Sequence, residues 1–295
     1  MDVLEELARI RGDHGKDLPG AIRDLRSVAK CIATAEQSIR FAALVNHVVG
    51  LEGDDWKLAS ELTRDLAGRT EFERVTRLQG SLAVACYASG QWRDGIRAEG
   101  LALAAAGDSA LAALVWIRCS AGEALVRRQE RETLSAFLLP ALRIAGTLEA
   151  VSDFDKAIAS TTNNIASTLL ELPERGAWQD ELLEQTARTS RRFWQRAGTW
   201  ENHERADYLL ALTYNALGRY DAAEAAALRA LATIDQNGEE PVDRAFINVE
   251  LAYASKQLGK ISDFTARRDQ ASHLAAAFSD QSLKSWFDQK FSRLN

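Results

Sequence analysis

The chain has 295 residues, 46% hydrophobic and 26% charged, with a formal charge of −6 from 36 bases against 42 acids. Apolar content is enough for a core, which excludes wholesale disorder, and acids outnumber bases in both halves, which argues against a protein built to grip phosphate backbones. The opening MDVLEELARIRGD mixes acids and bases, so it lacks the basic and then apolar regions of a secretory leader, and no stretch approaches the ~18 uncharged apolar residues of a membrane span. Cys31, Cys86 and Cys119 are far apart among small or apolar neighbours and read as buried free thiols, so a cytoplasmic location is expected.

In chain order the pattern is helix almost throughout. Ala, Leu, Glu, Gln and Arg recur in blocks with apolar positions three and four apart, as in Leu58, Ala59, Leu62, Leu66 and in Leu209, Leu210, Leu212, Leu217. Breakers separate the blocks at Gly12 to Gly20, Gly50 to Asp55, Gly68 to Thr70, Gly90, Gly107 to Ser109, Pro173 to Gly176, Gly198, Gly218, Gln236 to Pro241 and Gly259. Thirteen or fourteen helices are expected. Pro19, Pro173 and Pro241 sit in breaks or first turns, whereas Pro140 lies inside a helical pattern and predicts a kink or break.

The blocks repeat. In Glu204 to Asn237, Ala211 lies seven residues before Gly218, Tyr220 two after it, and Ala223 and Ala230 five and twelve after it. Ala83, Gly90, Trp92, Gly95 and Ala102 match that spacing well; Ala252, Gly259, Ile261, Phe264 and Ala271 match more weakly. Continued along the chain, the small helix position falls at residues 47, 83, 121, 166, 211 and 252. This pattern resembles the tetratricopeptide repeat (TPR), in which small residues let two helices cross closely. Helix pairs at this spacing also occur in HEAT and armadillo repeats, but the Gly–x–aromatic turn followed by Ala favours TPR. The resemblance implies an all-α, right-handed superhelical solenoid of about six or seven antiparallel helix pairs. It forms one domain over 1–295, with a degenerate pair at 1–39, repeats over 40–272 and a capping helix within 273–295 whose Leu283, Trp286, Phe287 and Phe291 cover the end of the stack.

Chemistry is sparse. His14, His47, His203 and His273 are isolated in sequence, with no HExxH or CxxC, so no metal and no cofactor is expected, and His47, at a helix-packing position, reads as a core histidine. Phosphate-binding glycine loops and a GxSxG elbow are absent. Asp54-Asp55 and Glu239-Glu240 read as caps and solvated turns, and Arg191-Arg192 and Arg267-Arg268 as solvated helix faces. Arg127, Arg128 and Arg131, the most basic spot, are interspersed with Glu123, Glu130 and Glu132, so no nucleic-acid stripe is expected. Trp56, Trp92 and Trp178 read as packing residues; Trp194 and Trp200 as end-of-helix packing or a partner-binding patch.

The TPR resemblance places function on the concave groove. Its candidates are Arg77, Tyr87, Arg118, Asn163, Asn164, Ser167, Arg205, Tyr208, Asn215, Tyr253 and Lys256. The string NNIAS resembles helix A of kinesin-light-chain-like TPR units, whose amides reach the main chain of an extended peptide. No unit carries the Lys and Asn pair of carboxylate-clamp TPR domains. The expectation is a non-catalytic scaffold or adaptor that binds a peptide or protein segment without touching nucleic acid or membrane, with self-association open. The alternatives are a sensor module of a transcription or signalling system and, last, an all-α enzyme.

Overall fold

The computed structural model describes residues 2–128 and 131–295, so Glu130 of the basic spot lies outside the described residues. The chain is all-helical, with no strand among the described residues, and divides into two compact units, residues 1–154 and 155–295. The first unit holds α1 (Val3–Asp13), α2 (Leu18–Val28), α3 (Ala35–Val45), α4 (Trp56–Ala67), α5 (Thr76–Ala88), α6 (Trp92–Ala106), α7 (Ala110–Arg127) and α8 (Arg131–Thr147). The second holds α9 (Asp155–Leu170), α10 (Ala177–Ala197), α11 (Trp200–Ala216), α12 (Tyr220–Asn237), α13 (Pro241–Gln257), α14 (Ile261–Ala275) and α15 (Gln281–Phe291). The described α-helices thus exceed the expected number, because breaks at Ile32–Thr34 and after Ala275 carry no Gly or Pro.

From α3 to α8 and from α9 to α14 each helix packs on the next, α1 packs on α2 and α15 on α13, and odd-numbered helices also pack on one another: α1 on α3, α3 on α5, α5 on α7, then α9 on α11 and α11 on α13. Small residues make the close crossings. Ala83, Ala121, Ala166, Ala211 and Ala252 are all fully buried, as are Ala102, Ala230 and Ala271 on the even-numbered helices α6, α12 and α14. A Cβ at Gly80 would stand 2.2 Å from Trp116, and one at Gly95 would stand 2.7 Å from Tyr87, so those glycines let a ring lie flat on the backbone.

Three of the turns are the same object. Gly90, Gly218 and Gly259 have φ of +77°, +70° and +73°. The next amide bonds back to the carbonyl five residues earlier: Gln91 to Cys86 (2.7 Å), Arg219 to Tyr214 (2.8 Å) and Lys260 to Ser255 (2.9 Å). The glycine amide closes the inner bond, to Tyr87, Asn215 and Lys256. This is the Schellman stop, which needs the left-handed conformation that glycine adopts without steric cost.

Several expectations are corrected. Pro140 does not break α8, which runs through it from Arg131 to Thr147. Cys31 is exposed at the end of a short 3-10 turn, and only Cys86 and Cys119 are buried; burial raises both thiols, Cys119 to about 12. The stretch Trp92–Arg127 contains an 18-residue window of mean hydropathy 1.7, apolar enough by composition to cross a membrane, but it folds as two helices broken at Gly107, where φ is +55°. Trp92 is partly exposed although its ring packs on Tyr87 and Phe137, and Trp56 is buried.

The largest departure follows α3. Residues Asn46–Glu52 wind as a π-helix, in which Gly53 N–H reaches Val48 O (3.1 Å). The π-winding turns His47 outward instead of into the core position that the repeat assigns to it. Gly50 takes the close contact, with a Cβ there falling 2.6 Å from the Trp56 ring.

Candidate functional site

The candidate residues of the first unit are engaged by the fold. Arg77, at the start of α5, donates to the Asp153 carbonyl and lies over the Phe154 ring at 4.7 Å; burial lowers its pKa. Arg118 on α7 forks onto Glu99 at 3.0 and 3.1 Å and covers Phe137 at 5.1 Å. Tyr87 is corrected outright. It is a core residue, 2% exposed and packed edge-on against Phe137 at 4.7 Å, and burial drives its hydroxyl pKa up.

In the second unit α9 carries Asn163 and Ser167 half-buried and Asn164 exposed. Asn215 is also corrected: it is buried and donates from Nδ2 to the Glu250 carbonyl at 3.0 Å and to Glu250 Oε2 at 2.8 Å, tying α11 to α13. Asn46 makes the matching tie to Ser81 O at 3.0 Å, again across 35 residues. Tyr208 packs against the Phe246, Phe287 and Leu294 cluster, and burial lifts its pKa far above the usual phenol range. Lys256 donates from Nζ to the main-chain oxygens of Leu294 (2.9 Å) and Asn295 (3.0 Å); Arg293 pairs with buried Glu250 and lies over Tyr253 at 5.0 Å. The segment after α15 therefore covers Tyr253 and Lys256, and most of this face is held in cis.

Beside that face lies an acidic group that sequence reading placed in no role. Glu204 is fully buried on α11; burial and the neighbouring Asp243 carboxylate push its pKa up to about 9, so it holds a proton at neutral pH. Exposed Arg205 bridges Asp243 (2.8 Å) and Glu204 (3.4 Å). Other buried acids are matched by arginines: Asp207 by Arg191 (2.6 Å) and Arg229 (2.8 Å), and Asp155 by Arg196 (2.9 Å). Arg191 thus belongs to an internal pair and not to a solvated face. No local sequence pattern signals these pairs, because each joins helices through the fold.

The histidines are isolated in sequence but two of them meet in space. His14 caps the C-terminus of α1, and its Nε2 stands 3.1 Å from Glu52 Oε1; His47 Nε2 stands 3.3 Å from the same oxygen. The two imidazoles sit edge to face at 5.0 Å. Beside His47, a cavity of about 450 Å³ is lined by Leu4, Leu7, Ala8, Arg11, Ile39 and their neighbours. Compared with protein-family models and with curated proteins, the chain matches none.

Proposed function

We propose that the chain is a non-catalytic, TPR-like helical-repeat module that binds an extended peptide or protein segment along the face of its odd-numbered helices, as a right-handed superhelical solenoid would. The observation that carries this reading is the hold of Lys256 on two successive main-chain oxygens, Leu294 and Asn295. A residue placed by repeat arithmetic on the groove thus holds a chain segment by its main-chain oxygens, here at the end of a short 3-10 turn, and the same ammonium can donate to the backbone oxygens of an extended peptide with little regard for its side chains. The recurrent Schellman turns, the buried alanines at the crossings and the contacts between successive odd helices support the repeat reading. On α9, Asn163 and Asn164 offer amides able to donate and accept toward a backbone.

The test is selection of displayed random peptides on the intact chain, followed by affinity measurement against Asn163→Ala/Asn164→Ala. The reading expects selected peptides to bind that variant at least about tenfold more weakly, the loss of one to two hydrogen bonds. Equal affinity, or a selection that yields no binder, refutes it.

A further inference from the structure

The geometry points to a divalent transition-metal site, with Zn²⁺ its fitting occupant, formed by His14 Nε2, His47 Nε2 and a Glu52 carboxylate oxygen. It does not rest on the peptide-binding reading.

The winding of the chain brings the ligands together. Five residues advance an α-helix by about 500°, which would leave Glu52 about 140° around the axis from His47. In the π-helix over Asn46–Glu52 the i to i+5 bonding returns Glu52 to the same side as His47. The packing of α1 on α3 then delivers His14 from the end of α1. Single π-turns inside helices recur at functional sites, and this one displaces His47 from a packing position to a surface one.

The distances fit an ion. The three ligand atoms lie within 4.8 Å of one another, two of the pairs at 3.1 and 3.3 Å. A tetrahedral ion with bonds of about 2.0–2.1 Å holds its ligands about 3.4 Å apart. Two imidazole nitrogens and one carboxylate are a donor set suited to Zn²⁺, with the fourth position left for water. Side-chain exposures of 16% for His14, 35% for Glu52 and 46% for His47 leave that position open to solvent.

The proton pattern adds a separate reason. His14 Nδ1 lies 2.6 Å from the Arg11 carbonyl oxygen. A carbonyl only accepts, so Nδ1 carries the proton, and in the neutral ring Nε2 presents a lone pair. This backbone hold is the outer support that metal-bound histidines use to fix tautomer and ring orientation. The lone pair faces Glu52 Oε1, also an acceptor, at 3.1 Å, and two facing acceptors need a positive species between them. Protons provide it only pair by pair, one on each ring, whereas one divalent ion satisfies all three atoms at once. The cationic side chain of Arg11, which lines the cavity beside His47, opposes a cation and weakens the site.

The test is calorimetric titration of Zn²⁺ into the intact, chelator-stripped chain at pH 7.5, repeated on Glu52→Gln and His47→Ala, together with visible absorption of the Co²⁺-loaded protein. The expected result is one ion per chain, at least tenfold weaker in both variants, with tetrahedral Co²⁺ bands and no thiolate charge-transfer band. Glu52→Gln keeps the shape of the side chain, and far-UV circular dichroism checks both variants, so a fold defect is separated from a lost ligand. Absence of saturable binding in the wild type, binding unchanged in both variants, or a thiolate band marking Cys31 as the ligand would each overturn the assignment.

Discussion

The α11–α12 pair and the stretch from α3 to α4 start from the same sequence pattern and end differently. In the first, Ala211 is fully buried where the helices cross, Gly218 makes the left-handed stop and Ala223 and Ala230 close the contact. In the second, His47 stands at the corresponding place in the repeat, a π-turn rotates it out, and Gly50 packs against Trp56 in its stead. A crossing tolerates only a small residue. Where the sequence supplies a large polar one, the backbone changes its winding until a small residue reaches the contact, and the displaced side chain becomes available for chemistry. One region is architecture; the other has exchanged regular winding for a cluster of ligands.

Variants can break or sharpen that contrast. The largest effect is expected from Ala211→Leu, which forces added methylene groups into a filled crossing and should cost about 3 kcal/mol in urea unfolding. His47→Leu at the corresponding place should change stability by less than about 0.5 kcal/mol, since that position is already on the surface.

Glu204→Gln, on the same helix as Ala211, should act in the opposite direction. The folded carboxyl has its pKa raised from 4.5 to about 9. Between those values the folded state keeps a proton that the unfolded state has lost, so stability falls as pH rises through this window. Gln removes that penalty. The variant should gain about 1–3 kcal/mol at pH 7 and show a flatter profile of stability against pH between 5 and 9, measured by urea unfolding at a series of pH values.

Gly218→Ala should cost about 1 kcal/mol, because alanine must take a φ of +70°. The smallest effect is expected at Lys256→Ala. It should barely alter global stability but speed amide exchange in residues 291–295, since Nζ anchors that segment through the main-chain oxygens of Leu294 and Asn295.

The helical pattern, the Schellman glycines and the alanines at the crossings were legible because each is a local rule. Apolar spacing, a stop residue and a size limit are all written within about twenty residues of one another. The break allowed for at Pro140 does not occur for the complementary reason: the penalty for a helical proline is local, but packing of the Leu134, Leu138, Ala141 and Leu142 face holds α8 together across it. The candidate site was legible only as a set of positions on odd-numbered helices. Their partners lie on other elements of the fold, Glu99 for Arg118, Glu250 for Asn215 and residues 294–295 for Lys256. Local spacing could place those side chains on a face but could not tell that the fold itself would use them. The His14, His47 and Glu52 cluster was hidden for the same reason, compounded by π-winding that no periodicity of 3.6 anticipates.

The exchange at the π-turn is tested most directly by urea unfolding of Gly50→Ala beside His47→Ala under identical conditions. A Cβ at residue 50 would meet the Trp56 ring at 2.6 Å, so Gly50→Ala should lose about 1–3 kcal/mol at unchanged m-value, while His47→Ala stays within about 0.5 kcal/mol of the wild type. The reverse order, with His47→Ala the more destabilised, would show that His47 occupies the crossing after all and would contradict the account.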